Sequence, residues 1–337
     1  MLRPLVYRSL LICGAMDWLS PSLPFIAALQ KLTFLRVPAI FFSFLGNEEF
    51  FLLLLPFVYW CIDRKTGARL GILLLFSAAL NDLLKVAFAL PRPYWLDSSL
   101  ALLTENTFGF PSGHAQNAAL LWTFLASRSR NPKLWVPLAL LLAVSIAFSR
   151  IVLGVHFPAD AFGGAFIGFA LLGLWLRFGS LLENWFKTRP LGWKIGLAAL
   201  AALAIYSIYA ALAGRWPVEA DGSPFAKALG AANSGEAIVS RVGALFGLLV
   251  GLSLAQKLDF EAVAPFSQKL ARLFIGLIGL AVFYFGLKKI FPDELPFRFG
   301  RYALTTFWVS FGAPLVFERL GLAGRSEVEA IARVSGS

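Results

Sequence analysis

Residues 134–177 read LWVPLALLLAVSIAFSRIVLGVHFPADAFGGAFIGFALLGLWLR, and this stretch decides the fold. It contains two apolar runs, 134–152 and 157–177, joined by a short link. Each run is close to the roughly 20 residues that an α-helix needs to cross the hydrocarbon core of a bilayer. Since no water is present there to satisfy backbone polar groups, the two runs predict membrane-spanning helices.

The rest of the chain repeats this pattern. Of its 337 residues, 58% are hydrophobic and only 15% are charged, whereas a soluble domain carries roughly 25% charged residues. Runs such as Phe51 to Pro56 do not alternate apolar and polar residues, which argues against a membrane β-barrel. The further apolar segments are 38–62, 68–90, 112–127, 194–213, 238–256, 272–290 and 300–318. We therefore predict an all-α, polytopic transmembrane helix bundle of nine spans, or ten with one more near the N-terminus.

Composition and pattern divide the chain into three parts. Residues 1–36 are predicted to form an N-terminal amphipathic or interfacial segment, residues 37–180 the core bundle with the functional site, and residues 181–337 further transmembrane helices. The last part contains no catalytic pattern, so its role is left open. No small-residue cleavage site follows the first apolar residues, and we predict no removable signal peptide.

Two segments near the N-terminus allow alternatives. Ser20 to Arg36 alternates apolar and polar positions, which predicts an interfacial amphipathic helix or, alternatively, an additional span. The segment 38–62 is either one long helix or two helices with a break near Gly46 and Asn47.

The net charge of +11 indicates membrane orientation and not nucleic-acid binding. Basic residues of membrane proteins collect in cytoplasmic loops. Three loops that fall on one side carry them: Arg64, Lys65 and Arg69; Arg128, Arg130 and Lys133; Arg177, Lys187, Arg189 and Lys194. The loop 91–111 would then lie on the external or periplasmic face of a plasma or inner membrane. Against this orientation, Lys288, Lys289, Arg298 and Arg301 flank a loop that the same alternation places outside.

The two cysteines, Cys13 and Cys61, both lie in apolar surroundings. They are too few for a disulfide framework or a thiolate metal site. The sequence predicts no metal ion and no cofactor.

The chain has only two histidines, His114 and His156, and both lie where apolar helices begin or end. A histidine beside a membrane span is costly unless it has partners, and three short patterns supply them. The patterns are Lys85 with Arg92-Pro93; Pro111-Ser112-Gly113-His114; and Ser149-Arg150 with His156 and Asp160. Because neighbouring helices alternate in direction, all three patterns are predicted to meet at one membrane face.

The residue types in these patterns suit an oxyanion. Lys85, Arg92 and Arg150 bring three positive charges together, and the planar fork of arginine donates parallel hydrogen bonds to phosphate. Ser112 is placed to cap a helix, and Gly113 allows the backbone to approach a ligand closely. Free amide groups at a helix start also favour an anion. The patterns predict a phosphate site that needs no metal.

The third pattern also predicts a nucleophile. His156 and Asp160 are four residues apart and share a face of a continuous helix. Asp160 would accept a hydrogen bond from one imidazole nitrogen and leave the other nitrogen free to attack. His114 is then placed to protonate the leaving group and later to activate water, a contribution of roughly 10²–10⁴-fold.

Four further residues are possible supports of this site. Asp82 precedes Lys85 by one helical turn and either steers the lysine or packs between helices. Asn81 is interpreted as a packing residue. Tyr94 and Trp95 either line a substrate entrance or anchor the chain at the membrane interface.

In this order and spacing, the three patterns resemble the signature motifs of the type 2 phosphatidate phosphatase superfamily, and they match without a departure. The enclosing helices extend the resemblance over roughly 38–177, whereas the region beyond 190 departs from the minimal core. The resemblance implies a helical membrane core and metal-independent hydrolysis of phosphomonoesters or diphosphates. It implies that His156 is the nucleophile, that His114 is the acid, and that phosphate is bound by Lys85, Arg92, Ser112, Gly113 and Arg150.

We therefore expect a membrane phosphatase with the bilayer and a phosphorylated lipid as its partners. Candidate substrates are phosphatidate, phosphatidylglycerol phosphate, sphingoid phosphates and polyprenyl diphosphate. The run from Asn81 to Trp95 also resembles the glucose-6-phosphatase branch, so a sugar-phosphate phosphatase acting on a small phosphate ester is an alternative. A lipid phosphotransferase that uses the same phosphohistidine is another, because both reactions share their first half. The oligomeric state is left open.

Two other classes are less favoured. A transporter or scaffold with a degenerate site is contradicted by intact Lys85, His114, His156 and Asp160. Haloperoxidases share this site around vanadate, but the known ones are not polytopic in this way.

Overall fold

The computed structural model describes residues 18–216 and 222–324, and Cys13 lies outside them. All regular secondary structure in these residues is helical, which confirms the predicted all-α fold. The helices are α1 (Leu23–Lys31), α2 (Arg36–Phe44), α3 (Glu48–Phe57), α4 (Arg64–Phe88), α5 (Pro93–Leu96), α6 (Gly113–Ser127), α7 (Pro132–Val152), α8 (Pro158–Lys187), α9 (Leu191–Ala213), α10 (Pro224–Asn233), α11 (Glu236–Ala255), α12 (Phe266–Ala281), α13 (Leu287–Ile290), α14 (Leu295–Phe307) and α15 (Ala313–Arg319). Short 3₁₀ turns cover Ser20–Ser22, Thr33–Leu35 and Ser98–Leu100, and π-helical turns cover Val58–Ile62, Val282–Gly286 and Trp308–Gly312.

Six helical stretches in the described residues are long and apolar enough to cross a membrane. They are Arg64–Leu96, Pro132–Val152, Pro158–Lys187, Leu191–Ala213, Pro224–Ala255 and Phe266–Ile290. A seventh would be a pair of helices, Ser20–Lys31 and Thr33–Phe44, bent by 86°. The chain is therefore a multi-pass membrane protein, but the predicted count of nine is not confirmed. Helix α6 has only 15 residues, and a π-helical turn divides the predicted span 300–318.

The N-terminal region decides between the two readings of 38–62. Helix α2 ends at Phe44 and α3 begins at Glu48, so the chain breaks at Gly46 and Asn47. The prediction of a single helix over 20–36 was wrong, because α1 ends at Lys31 and the chain turns sharply before α2. The location of α1 at the membrane interface stays a prediction.

The described residues form two compact units. The first comprises 18–50, Ser77–Ser180, 207–216 and 222–238, and the second comprises Phe51–Phe76, Leu181–Tyr206 and 239–324. The predicted three-part division of the chain at 36 and 180 stays a prediction.

In the first unit, α7 packs along both α2 and α6. Ile26 of α1 is fully buried in a cluster that includes Leu100 and Phe157, so α1 covers the loops at this end of the unit. Helix α8 approaches α6 at Gly164 and Gly168, where a Cβ atom would meet the backbones of Ser112 and Gln116. This small-residue pair brings α8 directly against the start of α6.

The opposite side of α8 suits contact with lipid. Phe162 and Phe166 are 75% and 66% exposed, although both are large and apolar. Exposed aromatic side chains along a membrane-spanning helix are stabilised by the hydrocarbon around them.

The second unit has a core of Trp60, Phe260 and Phe317, and Cys61 is buried there as a free thiol. Arg272 is fully buried beside it. Its guanidinium donates hydrogen bonds of 2.8 Å to the Trp60 carbonyl and 2.7 Å to the Leu322 carbonyl, so the arginine ties three segments together.

Candidate active site

The candidate site lies within the first unit, where α4 and α7 end and α6 and α8 begin. Lys85 is in the last turns of α4. The helix stops at Phe88 because Ala89 adopts a left-handed conformation with φ of 48°. The chain then runs extended through Arg92 into the proline that opens α5. This turn places the two cations of the first pattern on the same side.

The second pattern opens α6 as expected. The side chain of Ser112 accepts the amide of Ala115 at 3.5 Å, so it is the N-cap of the helix. Its own amide donates to the carbonyl of Asp160 at 3.0 Å. The prediction that Ser112 caps this helix is confirmed. The hydrogen bond to Asp160 joins the second pattern to the third.

The third pattern contains a turn that is closed by the carbonyl of Arg150. Helix α7 ends at Val152, and Gly154 has φ of 73°, in the left-handed region that favours glycine. The amides of Val155 and His156 both donate to the carbonyl of Arg150, at 3.2 and 3.3 Å. The turn therefore folds the histidine back beside the arginine.

The predicted contact of His156 with Asp160 is present, but the predicted reason for it was wrong. Nδ1 of His156 is 3.3 Å from Oδ2 of Asp160. The two residues do not share a helix face, because α8 begins only at Pro158. Asp160 is instead in the first turn, where its carboxylate accepts the amide of Phe157 at 2.9 Å. Because the carboxylate of Asp160 caps the start of its own helix, it lies next to the imidazole of His156.

Arg92 is the centre of the cluster and is fully buried. Its guanidinium donates to the carbonyls of Thr107 and Val155 at 2.6 and 2.8 Å, and to Thr107 Oγ1 at 2.7 Å. Its Nη1 also lies 3.3 Å from Nε2 of His156. Lys85 donates to the same Thr107 hydroxyl at 3.0 Å and to the carbonyl of Phe108 at 2.8 Å. The two cations thus share one hydroxyl.

Glu105 joins the two arginines. Oε2 of Glu105 is 2.6 Å from Nη2 of Arg92, and Oε1 pairs with Nη2 of Arg150. Burial acts to raise the pKa of this carboxyl, but the charges of Arg92 and Arg150 outweigh it and lower the pKa to about 2. The carboxylate is therefore an anion at neutral pH.

His114 lies near the same charges but contacts a different segment. Its Nε2 is 2.9 Å from Oδ1 of Asn47, in the break between α2 and α3. Gly46 lies against the ring, since a Cβ there would be 2.8 Å from Cδ2 of His114. The break that interrupts the predicted helix therefore forms one wall around His114.

The protonation state of His156 follows from its surroundings. Burial lowers the pKa of His156 well below its ordinary value, and the charges of Arg92 and Lys85 lower it further. The imidazole is therefore neutral at pH 7. A neutral ring that donates Nδ1–H to Asp160 has an unprotonated Nε2, which faces the guanidinium of Arg92.

The four supporting residues have distinct surroundings. Asn81 is buried and donates to the carbonyl of Pro111 at 3.3 Å and to Gln116 at 2.9 Å, so it packs beneath the second pattern. Asp82 is half-buried one turn before Lys85. The Tyr94 hydroxyl bonds to Glu105 main-chain atoms, and Trp95 packs edge-on against Phe108.

Among residues 18–216 and 222–324 there is no group of three or more His, Cys, Asp or Glu side chains placed to hold a metal ion. The positive charge of the site comes from lysine and arginine.

Sequence reasoning missed four polar residues of this cluster. Glu105 and Thr107 bind the cations, Asn47 binds His114, and the hydroxyl of Ser43 accepts from Arg150. A signal existed for Glu105, since it is the only charged residue between Leu100 and Pro111. No local pattern marks Ser43 or Asn47, because their partners are far away in sequence.

Comparison with known families accounts for the three patterns together. Residues 66–183, which include all of them, match the PAP2 superfamily. Residues 239–325 match the transmembrane extension of PAP2 superfamily phosphatases. The chain belongs to the PAP2 superfamily. The C-terminal helices that had no predicted role are thus a known addition to the PAP2 domain.

Several known phosphatases resemble the chain in sequence. Phosphatidylglycerophosphatase B of Bacillus subtilis (strain 168) is 36% identical over 121 residues, which cover 33% of this chain and 58% of the relative. Lipid phosphate phosphatase delta of Arabidopsis thaliana is 26% identical over 54% of this chain and 48% of its own length. Sphingosine-1-phosphate phosphatase 1 of Mus musculus is 26% identical over 83% of this chain and 71% of its own length. The chain thus spans less than two thirds of the first two relatives.

One solved PAP2 structure is also similar. It is the crystal structure of the first transmembrane PAP2 type phosphatidylglycerolphosphate phosphatase from Bacillus subtilis, with 26% sequence identity and a TM-score of 0.44. The similarity covers 53% of this chain and 97% of that chain.

Proposed function

We propose that this protein hydrolyses a lipid phosphate or diphosphate without a metal ion, through a phosphohistidine formed on His156. The observation that carries the proposal is the position of the imidazole. Its Nδ1 lies 3.3 Å from the carboxylate of Asp160, and its Nε2 lies 3.3 Å from the guanidinium of Arg92. One nitrogen is therefore held as a donor, and the other is free to attack a group bound at the arginine. Hydrogen bonds of catalytic groups are often long in an empty site and shorten when substrate binds.

In the first step, the phosphoryl group lies among Lys85, Arg92 and Arg150. Nε2 of His156 attacks phosphorus and forms a P–N bond, while the ester P–O bond breaks. His114, which takes up a proton from solvent as the anionic substrate binds, donates this proton to the departing alkoxide, which leaves as the alcohol. The positive charge on the ring is stabilised by the carboxylate of Asp160, as in other orienting pairs. The three cations stabilise the charge that spreads over the phosphoryl oxygens.

In the second step, water replaces the alcohol. His114, now neutral, takes a proton from the water as its oxygen attacks phosphorus. The P–N bond breaks, inorganic phosphate leaves, and His156 returns to its neutral form. One ester and one water thus give one alcohol and one phosphate, and both histidines regain their initial protonation.

A lipid is the favoured substrate for two reasons. The site lies where membrane-spanning helices begin and end, so a headgroup is able to reach it while its tail stays between or beside the helices. The similar proteins are named for phosphatidylglycerophosphate, lipid phosphates and sphingosine 1-phosphate. Phosphatidate, phosphatidylglycerol phosphate, sphingoid phosphates and polyprenyl diphosphate are the candidates. From the distribution of basic loops, we place the site on the external or periplasmic face.

The test is a substrate panel with the purified full-length protein in detergent and excess chelator. Phosphate release from a lipid phosphate, with slower turnover of glucose 6-phosphate, is the expected result. An absolute requirement for a divalent metal would remove the metal-free mechanism. Preference for glucose 6-phosphate would select the sugar-phosphate alternative. Transfer of labelled phosphate to an alcohol, with none released, would select the phosphotransferase.

A further inference from the structure

The carboxylate of Glu105 lies between the two arginines to which the proposed function assigns the phosphoryl group. Each of its oxygens pairs with a different guanidinium, one of Arg92 and one of Arg150. The two arginine side chains are 0% and 1% exposed, whereas Glu105 is 26% exposed. The glutamate therefore covers both arginines from the open side of the cluster.

Carboxylate and phosphate compete for the same donors. Arginine binds both through the same fork of N–H groups, and in both cases two anionic oxygens accept the hydrogen bonds. Glu105 remains ionised at any working pH because its two partners hold its pKa at about 2 against the effect of burial. Two anions cannot share these donors without strong repulsion, so phosphate binds only after the carboxylate has left.

The surroundings of Glu105 allow this movement. The Tyr94 hydroxyl donates to the Glu105 carbonyl at 2.7 Å and accepts from its amide at 2.9 Å, which fixes the backbone. Thr107 separately keeps its bonds to Lys85 and Arg92. The side chain of Glu105 is therefore able to rotate away while the loop and the remaining cation contacts stay in place.

We propose that Glu105 is an internal anion that stands in for the phosphoryl group in the empty site, yields to the substrate, and returns to the arginines as product phosphate leaves. This rests on the proposed function of the site. A site that is free for only part of the time binds every ligand more weakly by that fraction. Glu105 thus raises KM, but it also prevents inorganic phosphate from remaining on three buried cations after each turnover.

The first experiment measures the binding of inorganic phosphate to the full-length protein in detergent, at pH 8 and without substrate. We expect Glu105→Gln to lower the Kd for phosphate by about tenfold or more, because the competing charge is removed. Asp97→Asn is the matched control, since it removes the same charge from the same loop at a carboxylate that accepts from the amide and the hydroxyl of Ser99. Its Kd should equal that of the wild type. An unchanged or higher Kd in Glu105→Gln overturns the proposal.

The second experiment measures turnover. In Glu105→Gln we expect KM and the inhibition constant of phosphate to fall together, while kcat falls and a burst of alcohol appears in the first turnover. A glutamate that only holds the arginines in position predicts the opposite, a rise in KM and in the phosphate inhibition constant. If Glu105→Gln does not fold, Tyr94→Phe tests the same idea, because it removes the hydroxyl that fixes the backbone of Glu105. We then expect a lower Kd for phosphate, and an unchanged Kd would contradict the proposal.

These measurements separate the two proposals. If the protein hydrolyses no lipid phosphate, the proposed function is refuted. If Glu105→Gln nevertheless binds inorganic phosphate more tightly than the wild type, the internal anion is supported. If the protein hydrolyses a lipid phosphate but the phosphate Kd of Glu105→Gln equals that of the wild type, the proposed function is supported and the internal anion is refuted.

Discussion

Oδ1 of Asn47 lies 2.9 Å from Nε2 of His114, although 67 residues separate them in sequence. The amide occupies one ring nitrogen, so it fixes the orientation of the imidazole. A histidine with one nitrogen held by a neighbouring polar group presents a defined nitrogen to its substrate. We infer that Asn47 positions His114 for proton transfer.

Asn47→Ala should therefore slow the hydrolysis of esters whose leaving group needs a proton. We expect kcat for an alkyl phosphate to fall by about tenfold to 100-fold, within the range of general acid catalysis. An aryl phosphate with a good leaving group should react at nearly the wild-type rate. Asn117→Ala is a matched control, because Asn117 is on α6 and its side chain accepts from Ser77, away from the site. Equal losses for both esters would contradict a role in proton transfer.

Asp160→Asn tests what the negative charge beside the nucleophile contributes. The same oxygen of Asp160, Oδ2, accepts from the amide of Phe157 at 2.9 Å and lies 3.3 Å from Nδ1 of His156. The amide oxygen of asparagine can keep both contacts, but the substitution removes the negative charge that stabilises the ring once phosphorus is bonded to Nε2. We expect kcat to fall by about 10²–10⁴-fold with an unchanged melting temperature, as in other orienting carboxylates. A variant with more than a tenth of wild-type activity would show that the reaction does not depend on the negative charge of Asp160.

His156→Ala tests the covalent intermediate directly. We expect turnover to be abolished, while the binding of inorganic phosphate remains measurable because Lys85, Arg92 and Arg150 are intact. Acid quenching destroys a P–N bond and alkaline quenching preserves it, so labelled wild-type protein should keep its label only in alkali. Residual activity above a tenth of wild type, or label retained in acid, would exclude His156 as the nucleophile.

Local patterns were enough to predict the residues that the site brings together. Helix starts and ends, marked by Pro111-Ser112-Gly113 and by Gly154, are set by nearby residues and are visible in sequence. The partners of these residues were not visible. Glu105 and Asn47 meet Arg150 and His114 only after distant segments have packed, and no spacing rule connects them.

The contact between His156 and Asp160 and the span count show the limits of periodicity. The spacing suggested a shared helix face, yet the contact arises because Asp160 caps a helix that begins after His156. The predicted count of nine spans is not confirmed, because hydropathy alone does not detect every break in a helix. The π-helical turn Trp308–Gly312 interrupts a stretch whose composition is apolar, whereas the break at Gly46 and Asn47 was one of the two alternatives for 38–62.

The fall of kcat/KM at acidic pH should reflect protonation of the substrate and not of His156. Burial and nearby cations lower the pKa of His156 well below its ordinary value, so the ring is neutral and nucleophilic at pH 7 and takes up a proton only in more acid solution than a free histidine. Glu105, with a pKa of about 2, does not titrate near pH 6. We expect kcat/KM to fall near pH 6, where a phosphomonoester takes up its second proton. Two aryl phosphates with different second pKa values should give limbs that differ accordingly, and a limb fixed near 6.5 for both would contradict this.

The packing of α8 against the second pattern gives a test that needs no substrate. An alanine Cβ at Gly164 would meet the backbone of Ser112, whereas one at Gly173, on the same helix, meets nothing within 4 Å in the described chain. We expect Gly164→Ala to lower the free energy of unfolding by about 1–3 kcal/mol, because the overpacked helices must separate. Phosphate binding should weaken too, since Ser112 caps the helix that faces the anion. Gly173→Ala should be neutral or stabilising by roughly 0.5–1 kcal/mol, the usual gain of alanine over glycine in a helix. Melting temperatures in detergent measure both variants, and equal effects would show that α8 does not pack closely at Gly164.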